Sequence, residues 1–439
     1  MAREKIAVHW FRRDLRLEDN RALSAALKSG LPVLPVFIFD PNILAKLKLK
    51  DDRRVTFIFR TLAVIDVNLR QRGGALRVFH GKPRDIYAQL FREYDVAAVF
   101  CNEDYEPYAR ERDTEIAGFC KERSAEFISV KDHVIFAPHE VLKDDGTPYN
   151  VFTPYSRRWL ERFENNLPAY EAGLPAGRFS GANGKAGNPT LADLGFTENN
   201  FEPPPPRIDD AVIENYAATR DIPGVAGTSR LGLHLRFGTI SVRALALRAR
   251  ELSQKYLAEL IWREFYQMIL WYYPHTTKQP FRAQYAKLHW PGSESDFKKW
   301  AAAETGYPLV DAGVRELVET GFMHNRVRMV VASFLTKHLL CDWRWGDHFF
   351  AQHLLDFELA SNIGGWQWSA GIGVDAAPYF RIFNPAEQQK RYDARGEYVK
   401  RWLGSGDDFF GTPKREPMID HRFARERCLK FFMGATSGK

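Results

Sequence analysis

The chain has 439 residues, 45% of them hydrophobic and 27% charged, with a formal net charge of +7 and a pI near 9.1. These proportions exclude a disordered or fibrous chain, and the length exceeds what one compact core usually holds, so two domains are expected. The basic excess is compatible with a polyanionic partner and equally with none.

Cys101, Cys120, Cys341 and Cys428 are scattered with no CxxC pair, which argues against a disulfide framework and against a zinc site, so no metal is expected. The opening MAREKIAVHWFRRDLRLEDN has no apolar core ahead of a small-residue cleavage site, and no later apolar run is long enough to span a bilayer. A cytoplasmic protein without a membrane partner is the expectation.

In chain order, KIAVHWF, PVLPVFIFD, ALRVFHG, VAAVFCN and EFISVKD are short β-rich runs separated by amphipathic stretches such as Asp51 to Arg72 and Tyr108 to Arg123. Residues 1–130 therefore read as an α/β domain with a doubly wound, Rossmann-like parallel sheet. Ligands of such sheets sit beyond the carboxyl ends of the strands, which makes Asp40 and the segment Asn102 to Tyr105 candidates for a binding edge. No GxGxxG follows the first strand, so NAD held in the usual way is excluded. Over 131–206 periodicity fades, and Gly, Asn and Pro accumulate in GRFSGANGKAGNPT and Pro203 to Pro206, the composition of a connector. Residues 207–439 read as an all-helical domain.

That helical part places polar and aromatic residues inside otherwise apolar sequence. Asn325 and Arg328 lie three apart on one helix face, with Met329 beside them. Asp356, Glu358 and Asn362 follow, and then GGWQW with Trp366 and Trp368. An Arg328–Asp356 ion pair of the core is the plainer reading of two of these residues, but the set is richer than one pair requires. The absence of HExxH, CxxC and GxSxG points to chemistry performed by a cofactor.

The blocks WFRRDLRLEDN, KDDGTPYNVFTPY, GTSRLGLHLRFGTIS, LIWREFYQMIL, TGYPLVDAGVRELVETGFMHNRVRM and ELASNIGGWQWSAGIGVDAAPYFRIFNP resemble the photolyase/cryptochrome family over nearly the whole chain. The resemblance is strongest to enzymes of class I type acting on cyclobutane pyrimidine dimers. It implies FAD in the helical domain, with Tyr216, Thr228, Ser229, Arg230 and Leu231 toward the diphosphate and Asn325, Arg328, Asp356, Glu358 and Asn362 toward the ring. Glu358 stands where Asp is common, and Gly232 where Ser is frequent. The resemblance also implies an electron-transfer chain Trp366, Trp343, Trp290, leaving Trp271, Trp300, Trp345 and Trp402 to packing.

For the substrate, the resemblance implies a flipped pyrimidine dimer in DNA, surrounded by Glu259, Trp262, Asn325, Met329 and Trp368, with Arg326 and Arg381 on phosphates. Met329 stands near a position where members acting on (6-4) photoproducts carry histidine. NEDYEPYARERD, with Asp104, and Asp40 resemble members with a deazaflavin antenna. The antenna site is left open between a deazaflavin, FMN and an empty site, and for a second chromophore deazaflavin or FMN is expected ahead of folate. A signalling cryptochrome is the alternative, and no long extension follows MIDHRFARERCLKFF, as such members often carry. A monomer is the simplest expectation.

Overall fold

The five apolar runs become strands β1 (Lys5–Phe11), β2 (Val33–Phe39), β3 (Arg77–His80), β4 (Asp95–Asn102) and β5 (Glu126–Val130). They form one sheet in the order β3-β2-β1-β4-β5 with every pairing parallel, wound outward in both directions from β1. β1 and β2 are buried along almost their whole length. A parallel strand enclosed on both faces has no wet side to alternate with, which explains why these runs are continuously apolar.

The computed structural model describes residues 3–180, 187–404 and 416–437. The glycine-rich stretch of the expected connector thus falls partly, at 181–186, outside the described residues. Chain contacts divide the protein into two compact units, each assembled from separated segments. One holds Met1–Glu140, Glu161–Ile208 and Arg230–Arg248; the other holds Val141–Leu160, Asp209–Ser229 and Ala249–Lys439. The 131–206 stretch is shared between the units, and a short segment from beyond it belongs to the first.

A buried ionic cluster fastens that short segment. Arg243 places Nε 2.8 Å from Asp19 Oδ2 and Nη2 2.8 Å from Asp132 Oδ1, while Arg16 Nη2 meets Asp132 Oδ2 at 2.8 Å. Both carboxylates are fully buried, so their charge is tolerable only while the guanidinium groups remain. Arg243→Met is expected to cost about 3 kcal/mol, because Asp19 then loses its main counter-charge inside the protein. A fall in the urea midpoint checks this; a midpoint equal to wild type would show that the cluster contributes no net stability.

The second unit is helical. Its principal helices include Gln254–Tyr272, Pro308–Thr320, Asn325–Ser333, Trp343–His353, Leu359–Ala370 and His421–Ser437. Local sequence sets their ends: Asp342 accepts from Arg344 N at 2.9 Å as an N-cap, and Gly321 and Gly371 take left-handed backbone at C-caps. The core packs Trp300, Trp343, Phe334, Phe350 and Trp366 together with aliphatic residues. Gly346 is required there, since a Cβ at that position would lie 2.0 Å from the Trp366 ring. The ring therefore lies directly against the backbone of the Trp343–His353 helix. Among the described residues, no helix is long and apolar enough to cross a membrane.

Candidate functional site

Three helices of the second unit each turn one stripe of side chains toward a cavity of about 370 Å³. Glu259, Trp262, Arg263 and Tyr266 come from the first, Asn325, Arg328, Met329 and Ala332 from the second, and Asn362, Gly365, Trp366 and Ser369 from the third. Each set follows i, i+3, i+4, i+7 spacing, the repeat that puts residues on one face of a helix. Asp356 and Glu358, on the turn before the third helix, line it as well, together with Arg220, Phe350, Leu354, Phe357, Ser361 and Trp368. The volume is in the usual range of small-molecule sites.

The charged groups are paired. Arg328 Nη2 lies 2.9 Å from Asp356 Oδ2 and 3.1 Å from Oδ1, and its Nε donates to Met323 O at 2.7 Å. Glu358 Oε1 accepts from Gln267 Nε2 at 2.7 Å and faces Arg263 Nη2 at 3.2 Å, while Oε2 accepts from Ser361 Oγ at 3.0 Å. Its longer side chain is thus held by protein groups and in turn anchors Arg263. Arg220 Nη1 pairs with Glu259 Oε1. Burial pushes the Glu259 carboxyl above its ordinary range, and Arg220 pulls against that shift.

Asn362 uses its amide N–H groups on the Asp347 carbonyl at 3.1 Å and on Asp347 Oδ1 at 2.6 Å, leaving its own oxygen for whatever occupies the cavity. Burial raises the Asp347 carboxyl from 3.8 to about 7, opposed by the Asn362 hydrogen bond. A carboxyl with a raised folded value binds more protons folded than unfolded, so stability falls as pH rises through the window from 3.8 to about 7. Asp347→Asn keeps an acceptor for Asn362 and removes the titration. Its melting temperature is expected to match wild type near pH 4 and exceed it at pH 8; parallel curves for the two proteins would refute the assignment.

Trp366 is 2% exposed, and its Nε1 has no protein partner. It packs edge-on against Phe350, with centroids 4.9 Å apart, and against Trp300 at 6.2 Å. Trp300, expected only to pack, is the indole in ring contact with Trp366. Trp343 is buried but makes no ring contact with Trp366 or Trp290. Trp290 is half-buried against Phe431 and Phe432.

The structure therefore brings Glu259, Trp262, Asn325, Arg328, Met329, Asp356, Glu358, Asn362, Trp366 and Trp368 into one cavity. The residues expected at a diphosphate do not line it. Tyr216 packs edge-on against Tyr256, centroids 5.0 Å apart, and the Tyr256 hydroxyl is 2.8 Å from Ser229 Oγ, one helical turn before Glu259. Thr228 and Ser229 belong to the helical unit; Arg230, with φ +53°, and the buried Leu231 belong to the first. Arg326 is engaged by Asp221 at 2.8 Å and stands over the Tyr392 ring, whereas Arg381 is exposed. In the first unit Asp40 accepts from the Tyr108 hydroxyl. Asp104 pairs with Arg13 at 3.1 Å, and although burial works to raise its carboxyl, Arg13, His133 and Arg12 hold it far below the usual range. Sequence reasoning missed Arg220, Arg263 and Asp347; for Arg263 and Tyr266 the i, i+3, i+4, i+7 pattern from Glu259 was the available signal. Among the described residues, no group of three or more His, Cys, Asp or Glu is arranged to hold a metal.

A parallel α/β unit together with a helical unit whose cavity is walled by aromatic rings and paired charges defines a cofactor-carrying catalyst. Residues 7–173 match the family model described as DNA photolyase, and residues 256–418 match that of the FAD binding domain of DNA photolyase. A deoxyribodipyrimidine photo-lyase of Synechococcus sp. is 38% identical over 421 residues, covering 90% of this chain and 87% of that protein. A bacterial class III photolyase from Agrobacterium tumefaciens matches with a TM-score of 0.86 at 29% identity, covering 100% of this chain and 99% of that one. An archaeal photolyase from Sulfolobus tokodaii, described with two FAD molecules, matches with a TM-score of 0.83 at 30% identity, covering 98% and 99%. The chain belongs to the DNA photolyase family, and its helical unit carries that family's FAD-binding domain. The cavity suits the cofactor's ring. It offers flat aromatic walls, and a guanidinium–carboxylate pair and an amide oxygen for the polar ring edge.

Proposed function

We propose that the protein repairs cyclobutane pyrimidine dimers in DNA under blue or near-UV light. When bound and reduced, FAD supplies the electron that opens the cyclobutane ring and takes it back afterwards, so no net redox change occurs. This chain's residues bind and orient. The Arg328–Asp356 pair and the Asn362 oxygen hold the polar edge of the cofactor ring, with Glu358 steadying Arg263 at its side. Tyr216, Thr228, Ser229, Arg230 and Leu231 serve the diphosphate. Trp262 and Trp368 offer flat walls to a dimer flipped from the helix, Met329 fills the space between, and Glu259 with Asn325 hydrogen-bonds the pyrimidine edge. Arg326 and Arg381 serve the DNA backbone, and Trp366 opens the path by which an electron reaches the cofactor from the surface through Trp343 and Trp290.

The observation that carries the reading is the convergence of both residue sets, cofactor-facing and dimer-facing, on one cavity. We take the protein to act as a monomer, the simplest arrangement, in the cytoplasm where its DNA lies. A flavin-type antenna at the Asp40 and Asp104 edge of the sheet completes the proposal, in keeping with the two FAD molecules of the Sulfolobus neighbour. The test is a short oligonucleotide carrying one thymine dimer, incubated with reduced protein in light and in darkness. Light-dependent restoration of thymines is expected. No repair by protein that binds and reduces FAD would overturn the reading, and repair of a (6-4) lesion in its place would reassign the substrate.

A further inference from the structure

The side of Trp262 turned away from the cavity is occupied. The Phe152 ring lies parallel to the indole, with centroids 3.6 Å apart and planes within 4°. Phe152 is not among the residues lining the cavity, whereas Trp262 is. One indole face is therefore taken by Phe152; Phe265 stands edge-on to the same indole at 5.6 Å and Tyr266 lies tilted beside it at 5.5 Å, and part of the Trp262 side chain still borders the cavity.

Phe152 is itself held from two directions. It opens the Phe152–Asn165 helix, whose first N–H groups have no partner within the helix. Asp375 answers one of them from a distant loop, its Oδ2 accepting from Phe152 N at 3.1 Å. Asp375 has φ +44°, in the left-handed region that aspartate enters more readily than most residues. Further along the same helix, Trp159 Nε1 donates to the buried Glu264 Oε2 at 2.6 Å, tying this helix to the one that carries Trp262. The Asp375 loop follows the helix bearing Trp368, and at Gly373 it passes so close that a Cβ would lie 3.0 Å from Trp368 N. One loop thus links the supports of both aromatic walls.

We propose that Phe152 and Asp375 are positioning residues for lesion recognition: Phe152 fixes the plane of Trp262 by stacking, and Asp375 fixes Phe152 through its backbone N–H. A flipped pyrimidine dimer has two rings at a set angle. It is recognised by walls that hold their own angle, and a freely rotating indole would pay for its ordering on every binding event. The inference rests on the substrate reading above.

The test compares equilibrium binding of a dimer-containing oligonucleotide and its undamaged counterpart, in the dark, by FAD-loaded wild type, Phe152→Leu, Phe152→Tyr, Asp375→Ala and Asp375→Asn. Phe152→Leu and Asp375→Ala are expected to weaken dimer binding about tenfold, the scale of one base–aromatic stack, with undamaged DNA affinity, FAD content and melting temperature nearly unchanged. Phe152→Tyr keeps the aromatic plane and Asp375→Asn keeps the acceptor, so both are expected to retain wild-type preference. Under light, the loss is expected in KM rather than kcat. A wild-type ratio of dimer to undamaged affinity in Phe152→Leu overturns the positioning role alone. A wild-type protein without any preference for the dimer overturns the substrate reading, and this inference with it.

Discussion

Trp366→Phe is expected to slow photoreduction of bound, oxidised FAD at least tenfold while leaving repair by chemically reduced protein within about twofold, because an indole gives up an electron far more readily than a phenyl ring and repair itself draws nothing from Trp366. The substitution is structurally mild. Phenylalanine keeps the edge contact with Phe350 and relieves the close approach to Gly346, so the cost is that of a partly filled cavity, about 1–3 kcal/mol. Unchanged photoreduction would remove Trp366 from the electron path. The next residue is open to the same experiment: family resemblance implies Trp343, whereas the indole in contact with Trp366 is Trp300, at 6.2 Å. Loss of photoreduction in Trp343→Phe alone supports the expected chain; loss in Trp300→Phe alone moves the path to the contacting ring.

Much of this site was legible because the features that build it are local. β1 and β2 were readable as strands since a strand buried on both faces is apolar without interruption. Asn325, Arg328 and Met329 were readable as one face since the helix repeat alone puts them there. Contacts between distant segments were not readable. Nothing near Glu358 announces Gln267 or Arg263 as its partners, nothing near Phe152 announces Trp262, and nothing near Arg243 announces Asp19. The limits of the compact units are of the same kind. Val141–Leu160 has the composition of a connector, yet it packs with the helical unit through Trp159 and Phe152. Asp347 was invisible for a different reason: an acidic residue on a helix ordinarily faces water, and only the surrounding burial turns it into a carboxyl that titrates near 7.

Glu259 is where burial, charge and substrate meet, and its substitution is expected to be the most damaging to repair. The carboxylate pairs with Arg220, and both line the cavity. Glu259→Ala removes the proposed acceptor for the pyrimidine edge and also leaves the Arg220 guanidinium without its partner. Dimer repair is expected to fall by about 10- to 100-fold, the worth of one hydrogen bond to a charged group, with FAD content unchanged. Glu259→Gln separates the two causes. It keeps a neutral acceptor at the same place, so it should fall between alanine and wild type if the negative charge matters, and match wild type if only the acceptor does. The pH dependence gives an independent check. Burial raises the Glu259 carboxyl, so the ionised form should be lost on acidification at a higher pH than for an ordinary glutamate, and repair should decline there. That acid limb should be absent in Glu259→Gln. If the limb persists in the variant, the titrating group lies elsewhere; if Glu259→Ala repairs at the wild-type rate, the carboxylate has no role at the dimer.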